Sequence, residues 1–250
     1  MAMLRFKFAD LIRETKALKT IAKRFLDSNS SRALDQLGSD LESIWSADQN
    51  RASELKLSPS LPLRTIPSRD YETRNRQGGP QIYGVITGIW EVRPRGDNPR
   101  KPKARLKREL EFCGKASTKI ELYDTQNTGQ PIAMWRMEHG SEDAPGCYFH
   151  VQILGDRDEP PFPGTLPIPR FPSIFVTPMG VVEYVLGELF QHKWQKEAAG
   201  TSGDLAYWHK LQGDRLISLL KWQQAQLHNL ISSPWMTLKA AKPDGDMFLK

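Results

Sequence analysis

Prolines divide this chain into three parts that must fold differently. Four of its eighteen prolines lie between residues 56 and 80, and seven more lie between residues 156 and 178. Proline lacks a backbone N–H and has a fixed φ, so the second stretch is predicted to form neither a helix nor a strand ladder. The first stretch shows no period and is predicted to be an extended connector. The two stretches therefore separate an N-terminal, a central and a C-terminal part.

The N-terminal and C-terminal parts show helical periodicity. Apolar residues recur every three or four positions in residues 4–26 and again after residue 30, which predicts a helical hairpin within residues 1–55. In the C-terminal part, Thr177 and Pro178 are favourable N-cap and first-turn residues for a helix that ends before Gly200. A second C-terminal helix is predicted over residues 204–231.

The central part contains four runs rich in β-branched and aromatic residues. They cover residues 81–93, 106–124 (with a break near 114–117), 131–139 and 147–155. Runs of this kind, separated by Gly- and Pro-containing turns, predict a four-stranded antiparallel meander.

These patterns together predict an α+β protein. Its parts are a helical hairpin over residues 1–55, a linker over 56–80, an α+β domain over 81–235 and a tail over 236–250. Within the α+β domain, the meander is followed by a Pro-rich strap and the two C-terminal helices. The strap contains Phe162, Ile168 and Phe171 among its prolines, so it is expected to lie extended against the body of the protein.

Positive charge is concentrated in one segment, residues 93–108. This segment has eight basic residues and one acid, while the whole chain has a net charge of +6. Clustered Lys and Arg beside Pro and Gly are typical of an arm that contacts nucleic-acid phosphates. The alternative is a charged, solvated loop. The predicted nucleic-acid-binding residues are Arg93, Arg95, Arg100, Lys101, Lys103, Arg105, Lys107 and Arg108.

The last two predicted strands bring together residues that could perform chemistry. If Arg136 lies opposite His150, then Arg136, Glu138, Tyr148 and His150 share one face of the sheet. Glu and His can divide general base and acid roles, and Arg can stabilise an oxyanion. In side-chain types the set resembles the site of small microbial guanyl-type ribonucleases, which implies an endoribonuclease-like hydrolase. The alternative is a cross-strand salt-bridge ladder on a solvated face.

The order of elements over residues 81–231 resembles that of ubiquitin-conjugating and RWD-type domains. The Pro-rich segment that begins at Pro160 follows four strands and precedes helices, as in those domains. The His-Pro-Asn motif of the conjugating enzymes is missing, and no cysteine follows Cys147. The resemblance therefore implies a catalytically inactive interaction module.

Metal, cofactor and membrane sites are not predicted. Cys113 and Cys147 form no CxxC pair, and a pair of His139 and His150 with Glu138 or Glu142 is the weaker metal alternative. No apolar run approaches the roughly 18 residues that span a membrane, and the N-terminus lacks the apolar segment of a secretory signal. A cytoplasmic location is expected.

The leading functional hypothesis is a non-catalytic binding or accessory protein. It would contact RNA, DNA or a protein partner through the basic segment and the apolar strap. The hydrolase is the alternative from a different class. The sequence does not predict an oligomeric state.

Overall fold

The computed structural model describes residues 3–47, 51–71, 79–96, 107–140, 146–153, 170–174, 177–230 and 232–249. Within these residues there are six helices and eight strands. The helices are α1 (Phe8–Ile21), α2 (Ser28–Ser46), α3 (Pro178–Phe190), α4 (His192–Ala198), α5 (Gly203–His228) and α6 (Pro234–Ala240). The strands are β1 (Arg5–Lys7), β2 (Ser53–Leu57), β3 (Leu63–Arg64), β4 (Ile82–Arg95), β5 (Glu109–Asp124), β6 (Ala133–His139), β7 (Phe149–Ile153) and β8 (Arg170–Pro172).

All eight strands belong to one antiparallel sheet. Its order is β2-β4-β5-β6-β7-β8, with β1 paired to β5 and β3 paired to β4. The predicted α+β class is confirmed, but the sheet has eight strands where four were predicted. Three of the additional strands, β1, β3 and β8, are two or three residues long, too short to show a period-2 pattern in the sequence. The fourth, β2, does alternate polar and apolar residues over residues 54–57, and the sequence interpretation missed it.

Strand β2 overlaps the start of the predicted linker, strand β3 lies within it, and strand β8 lies in the predicted strap. Strands β2 and β3 both pair with β4. Strand β8 pairs with β7 at the edge of the sheet. The expectation that the strap forms no strand was wrong. An edge strand forms ladder hydrogen bonds on one side only, so Pro172, which lacks a backbone N–H, can lie in β8. The rest of the strap, residues 156–169 and 175–176, lies outside the described residues.

The C-terminal part contains four helices where two were predicted. The predicted start of α3 is confirmed, since the Thr177 side chain accepts a hydrogen bond from the backbone N–H of Gly180. Gln191 then adopts a φ of 43° and separates α3 from α4. This left-handed conformation interrupts the helix. It is usually indicated by a glycine, so the sequence does not predict it at Gln191.

One cluster of buried apolar side chains joins distant parts of the chain. Helix α1 packs against α2 and α5, and α3 packs against β4. The cluster extends from Leu4 to Met247 and Phe248, which belong to the predicted tail. Phe248 stacks on Phe6 with ring centroids 5.2 Å apart. The predicted division into domains stays a prediction.

Strand β5 is continuous where the sequence indicated a break. The register between β4 and β5 shifts between Trp90 and Val92, so the irregularity near residue 114 is a β-bulge. Gly114 lies in this bulge, and a Cβ atom there would collide with the carboxylate of Glu91. A side chain at position 114 would therefore force the flexible Glu91 side chain to move.

Candidate functional site

The sheet has one face toward the core and one face away from it. On β4 the even-numbered residues from Ile86 to Pro94 are buried, whereas the odd-numbered residues from Thr87 to Arg95 are partly exposed. Strand pairing places Lys119 of β5 and Arg136 of β6 on the same face as Thr87. We call this side the outer face.

A groove of about 620 Å³ crosses the outer face. It extends over β2, β4, β5 and β6, and its lining includes three hydroxyl side chains and four cationic ones. No acidic residue lines it among the described residues. The cationic residues are Lys56, Lys115, Lys119 and Arg136, and the hydroxyl residues are Ser58, Thr87 and Ser117.

Two of the cations lie directly opposite each other. Lys119 of β5 and Arg136 of β6 are cross-strand partners. Like charges in this position destabilise a sheet. Each cation has an acid two residues along its own strand: Lys119 Nζ lies 2.8 Å from Glu121, and Arg136 Nη1 lies 3.2 Å from Glu138. An anion between the two cations would relieve their repulsion.

The bulge in β5 places a further cation in the groove. Lys115 lies within the bulge, is exposed, and lines the groove together with Lys119. Bulges commonly redirect a side chain in this way. Within the described part of the chain, Lys115 has no ion-pair partner. Lys56 contacts Glu54, with both side chains about half exposed.

Three of the four predicted catalytic residues come together at one end of the outer face. The structure pairs Glu138 with His150 and Arg136 with Gln152. The predicted pairing of Arg136 with His150 was therefore wrong by two residues. The connection between β6 and β7 includes Cys147 and Tyr148, so β7 begins at Phe149, two residues later than predicted. A shift of two residues preserves the faces, so Arg136, Glu138 and His150 still lie side by side.

Glu138 is the centre of this group. Its carboxylate lies 3.2 Å from Arg136 Nη1 and 3.4 Å from His150 Nε2, and Ser117 donates a hydrogen bond to it. Burial alone would raise the pKa of Glu138. The hydrogen bond from His150 and the charge of Arg136 outweigh burial, so the pKa lies below its usual value.

His150 has both ring nitrogens engaged. Nδ1 lies 2.9 Å from the carbonyl oxygen of Cys147, Nε2 faces Glu138, and the residue is 5% exposed. Both partners are hydrogen-bond acceptors, so the network is complete when both nitrogens carry protons. A substrate could use this imidazole only by displacing one of these partners. The catalytic role of the group stays a prediction.

Tyr148 is placed apart from the other three residues. It is buried in the core cluster, where its ring contacts His139 and Phe149. Burial raises the pKa of Tyr148 to about 12. The phenol therefore stays protonated at neutral pH.

The predicted nucleic-acid-binding residues have different environments. Arg93 and Arg95 lie on the outer face and pair with Glu111 at 2.8 and 2.9 Å. Arg108 is 2% exposed and donates to the backbone carbonyls of Trp45 and Ala47, which commits it to a structural contact. Lys107 is exposed. The other four, Arg100, Lys101, Lys103 and Arg105, lie outside the described residues.

The described residues do not assemble the weaker metal alternative. His139 lies on the opposite side of β6 from Glu138 and contacts Phe112, and Glu142 lies outside the described residues. Within the ranges that the structure covers, no group of three His, Cys, Asp or Glu residues could hold a metal ion. None of the helices in those ranges has the length and apolar character needed to cross a membrane.

The groove was missed by the sequence interpretation. One signal for it exists, because Lys115, Ser117 and Lys119 alternate and must share a face if the segment is a strand. The pairing of Lys119 with Arg136 depends on register, which alternation alone does not determine.

Comparison of the chain with protein-family models, curated proteins and solved structures found no match.

Proposed function

We propose that this protein is a binding or accessory protein that holds nucleic acid by its phosphates in the groove of the outer face. The observation that carries the proposal is the pairing of Lys119 with Arg136, two cations directly opposite on neighbouring strands. The two cations repel each other, Glu121 and Glu138 beside them offset this repulsion, and a bound phosphate would add a further negative charge between the cations. Lys56 and Lys115 extend the same positive surface.

The outer face carries two further cations along β4. After Ile89, its outer-face residues are Glu91, Arg93 and Arg95. A ligand with repeated negative charges, such as a nucleic-acid backbone, would contact the groove and these two arginines together. The acids Glu111, Glu121 and Glu138 already pair with four of these cations, so phosphate groups would compete with the carboxylates for them.

Contact with a protein partner through the strap is the second proposal. Phe171 and Ile174 are each 48% exposed, and β8 is the last strand in the sheet order. An edge strand with exposed apolar side chains suits the addition of a strand from another protein. The hydrolase hypothesis receives less support, because both ring nitrogens of His150 already have partners.

Salt-dependent binding tests the nucleic-acid proposal. We expect a variant with Lys56, Lys115 and Lys119 changed to Gln to bind a labelled oligonucleotide more weakly. The slope of log K against log salt should also decrease, by about 0.7 per lost phosphate contact on a single strand. The measurement is fluorescence anisotropy over a series of salt concentrations.

A matched control changes Lys23, Lys196 and Lys221 to Gln, since these exposed lysines lie outside the groove. Equal loss of binding in the two variants would show that only total charge matters. Absence of binding by the unmodified protein would reject the proposal.

A third variant changes Arg100, Lys101, Lys103, Arg105 and Lys107 to Gln, with Arg108 retained because it is buried. A further decrease in slope is expected there.

A further inference from the structure

Exposed apolar side chains are concentrated on one part of the protein surface. Six of the ten large apolar side chains that are exposed among the described residues lie within residues 217–236, on α5, on α6 and in the turn between them. Each of the six is 37% to 52% exposed. Clusters of this kind mark surfaces that contact another molecule. We call them the α5–α6 surface, which consists of Ile217, Leu220, Leu227, Leu230, Trp235 and Met236.

Three of these side chains form a stripe along α5. At about 100° per residue, Ile217, Leu220 and Leu227 lie within an arc of roughly 80° of the helix. The buried residues Trp208 and Leu219 lie on roughly the opposite side, where α5 packs on the core. Helix α5 therefore has a buried apolar face toward the core and a second apolar stripe that faces away from it.

The stripe continues onto a part of the molecule that projects from the body. Residues 227–230 and 232–236 are all exposed, and burial resumes at Thr237. Four of the six side chains of the α5–α6 surface belong to these exposed residues. They therefore lie on a convex end, which comprises the end of α5 and the first turn of α6.

The charge pattern around this surface has one sign. No Asp or Glu occurs from residue 215 to residue 243. Lys221 follows Ile217 by four residues on α5, and Lys239 follows Trp235 by four residues on α6. Residues four apart are neighbours on a helix surface, so each lysine lies beside the apolar side chains. A matching partner is apolar where it meets the stripe and anionic around it.

This chemistry discriminates between the possible partners. A second copy of the chain would present the same lysines, so a symmetric pair would bring like charges together. Binding to a helix of another protein commonly uses a groove, and the α5–α6 surface is convex. An anionic bilayer adapts to a projecting end. Its headgroups attract Lys, its acyl region takes up Leu and Met, and Trp favours the level between the two.

We infer that the α5–α6 surface docks the protein on a membrane that contains anionic phospholipids. The projecting side chains insert between the headgroups, α5 lies along the membrane surface, and Lys221 and Lys239 contact lipid phosphates. Such a contact requires no helix that crosses the membrane. It uses a different surface from the groove of the outer face and does not depend on the proposed function.

The test is flotation of the full-length protein with lipid vesicles. Vesicles of phosphatidylcholine with about 30% phosphatidylserine are compared with vesicles of phosphatidylcholine alone. We expect binding to the anionic vesicles to be tighter by about tenfold or more, and to weaken as the salt concentration rises. Tryptophan emission should shift to shorter wavelength on binding, and this shift should be much smaller in Trp235→Phe.

Two double variants separate the apolar contact from the charge contact. Leu227→Gln with Leu230→Gln should weaken binding to the anionic vesicles by about tenfold, because two leucines lose their apolar environment. Lys221→Gln with Lys239→Gln should weaken it by about fivefold for each lysine, the attraction of one basic residue to an anionic surface.

Matched controls place the same substitutions elsewhere on the protein. Ile66→Gln with Ile132→Gln changes two exposed isoleucines outside the α5–α6 surface, and Lys23→Gln with Lys196→Gln changes two exposed lysines outside it. Neither control should alter binding by more than about twofold, because exposed side chains away from the contact contribute little. Thermal melting shows that each variant remains folded.

Several outcomes would overturn the inference. Binding to neither kind of vesicle, or equal binding to both, would do so. Anionic binding that the leucine variant leaves unchanged would assign the attraction to charge alone, such as that of residues 93–108. Self-association that the leucine variant abolishes, in a protein that binds no vesicles, would assign the surface to a second copy of the chain.

Discussion

A single carboxylate, that of Glu138, shows how neighbouring side chains decide the charge state of a partly buried group. Its pKa is lowered because hydrogen bonds and the charge of Arg136 outweigh the effect of burial. Because the carboxyl group has a lower pKa in the folded protein than in the unfolded chain, its ionisation stabilises the folded protein. This stabilisation is fully present at pH values above the pKa of the unfolded chain. It is lost as the pH falls through the pKa of the folded protein.

Substitution of Glu138 by Gln should therefore destabilise the protein in a pH-dependent way. At neutral pH we expect a loss of about 1–3 kcal/mol in the free energy of unfolding, the usual range for hydrogen bonds to a charged group. The difference from the unmodified protein should shrink below about pH 4.3, the usual pKa of glutamate. Urea unfolding at a series of pH values measures both quantities. Glu42→Gln, which removes an exposed ion pair with Lys16, is the control and should cost little.

The same substitution tests the hydrolase hypothesis. If Arg136, Glu138 and His150 formed a hydrolytic site, Glu138→Gln and His150→Ala would abolish cleavage of a mixed RNA substrate. A salt-bridge ladder predicts a loss of stability and no change in any activity. Cleavage by the unmodified protein that both substitutions remove would support the enzyme.

At the scale of elements, Arg108 joins the sheet to the end of α2. Its guanidinium donates to the backbone carbonyls of Trp45 and Ala47, at the C-terminus of α2. The last carbonyls of a helix lack partners within the helix, and the helix dipole favours a cation there. Arg108, which the charge pattern assigned to phosphate binding, therefore caps the C-terminus of α2.

Replacement of Arg108 by Met should leave these carbonyls without their donor. We expect the free energy of unfolding to fall by about 3 kcal/mol, the sum of two unsatisfied buried acceptors. Lys107→Met, at the exposed neighbouring position, should change it by less than about 0.5 kcal/mol. Chemical denaturation of the two variants makes the comparison, and similar small effects for both would contradict the capping role of Arg108.

Elements with long periodic patterns were predicted well, and short ones were not. The start of α3 at Thr177 and the faces of β6 and β7 follow from local chemistry and alternation. Strands of two or three residues, such as β3 and β8, form because a neighbouring strand offers hydrogen bonds, and that information lies elsewhere in the chain. The register of β6 and β7 differs by two residues from the predicted one because Cys147 and Tyr148 lie in the connection and not in β7.

At the scale of the whole molecule, a buried ion pair joins distant helices. Glu14 of α1 is 0% exposed and Arg215 of α5 is 4% exposed, with Nη1 and Oε2 at 2.8 Å. Thr177 and Gln212 donate hydrogen bonds to the same carboxylate. Removal of one member of such a pair leaves a buried charge without compensation.

Replacement of Arg215 by Met should therefore cost about 3–5 kcal/mol in the free energy of unfolding. The double variant with Glu14→Leu should be more stable than Arg215→Met alone, because the unpaired charge is then absent. A double-mutant cycle by urea denaturation provides the values. Additive losses in the double variant would show that the pair contributes no coupling.

The candidate site was predicted only in part because it spans four strands. Arg136, Glu138 and His150 lie within one hairpin, so alternation along two neighbouring strands sufficed to bring them together. The groove joins Lys56 of β2 to Arg136 of β6, and no local pattern relates residues so far apart in the sequence. The charge count located the basic segment, but it could not show that Arg93 and Arg95 would pair with Glu111.

The contact between the first strand and the last described residues has a consequence for synthesis of the protein. Arg5 in β1 donates its backbone N–H to Gly245, and Phe6 stacks on Phe248. A ribosome that adds 5–20 residues per second needs roughly 10–50 s to make the intervening chain. Phe6 also packs edge-to-face on Phe112, so for most of that time it has one of its two phenylalanine neighbours and lacks Phe248. The contact of β1 with residues 245–248 therefore forms only after the rest of the described core has been synthesised.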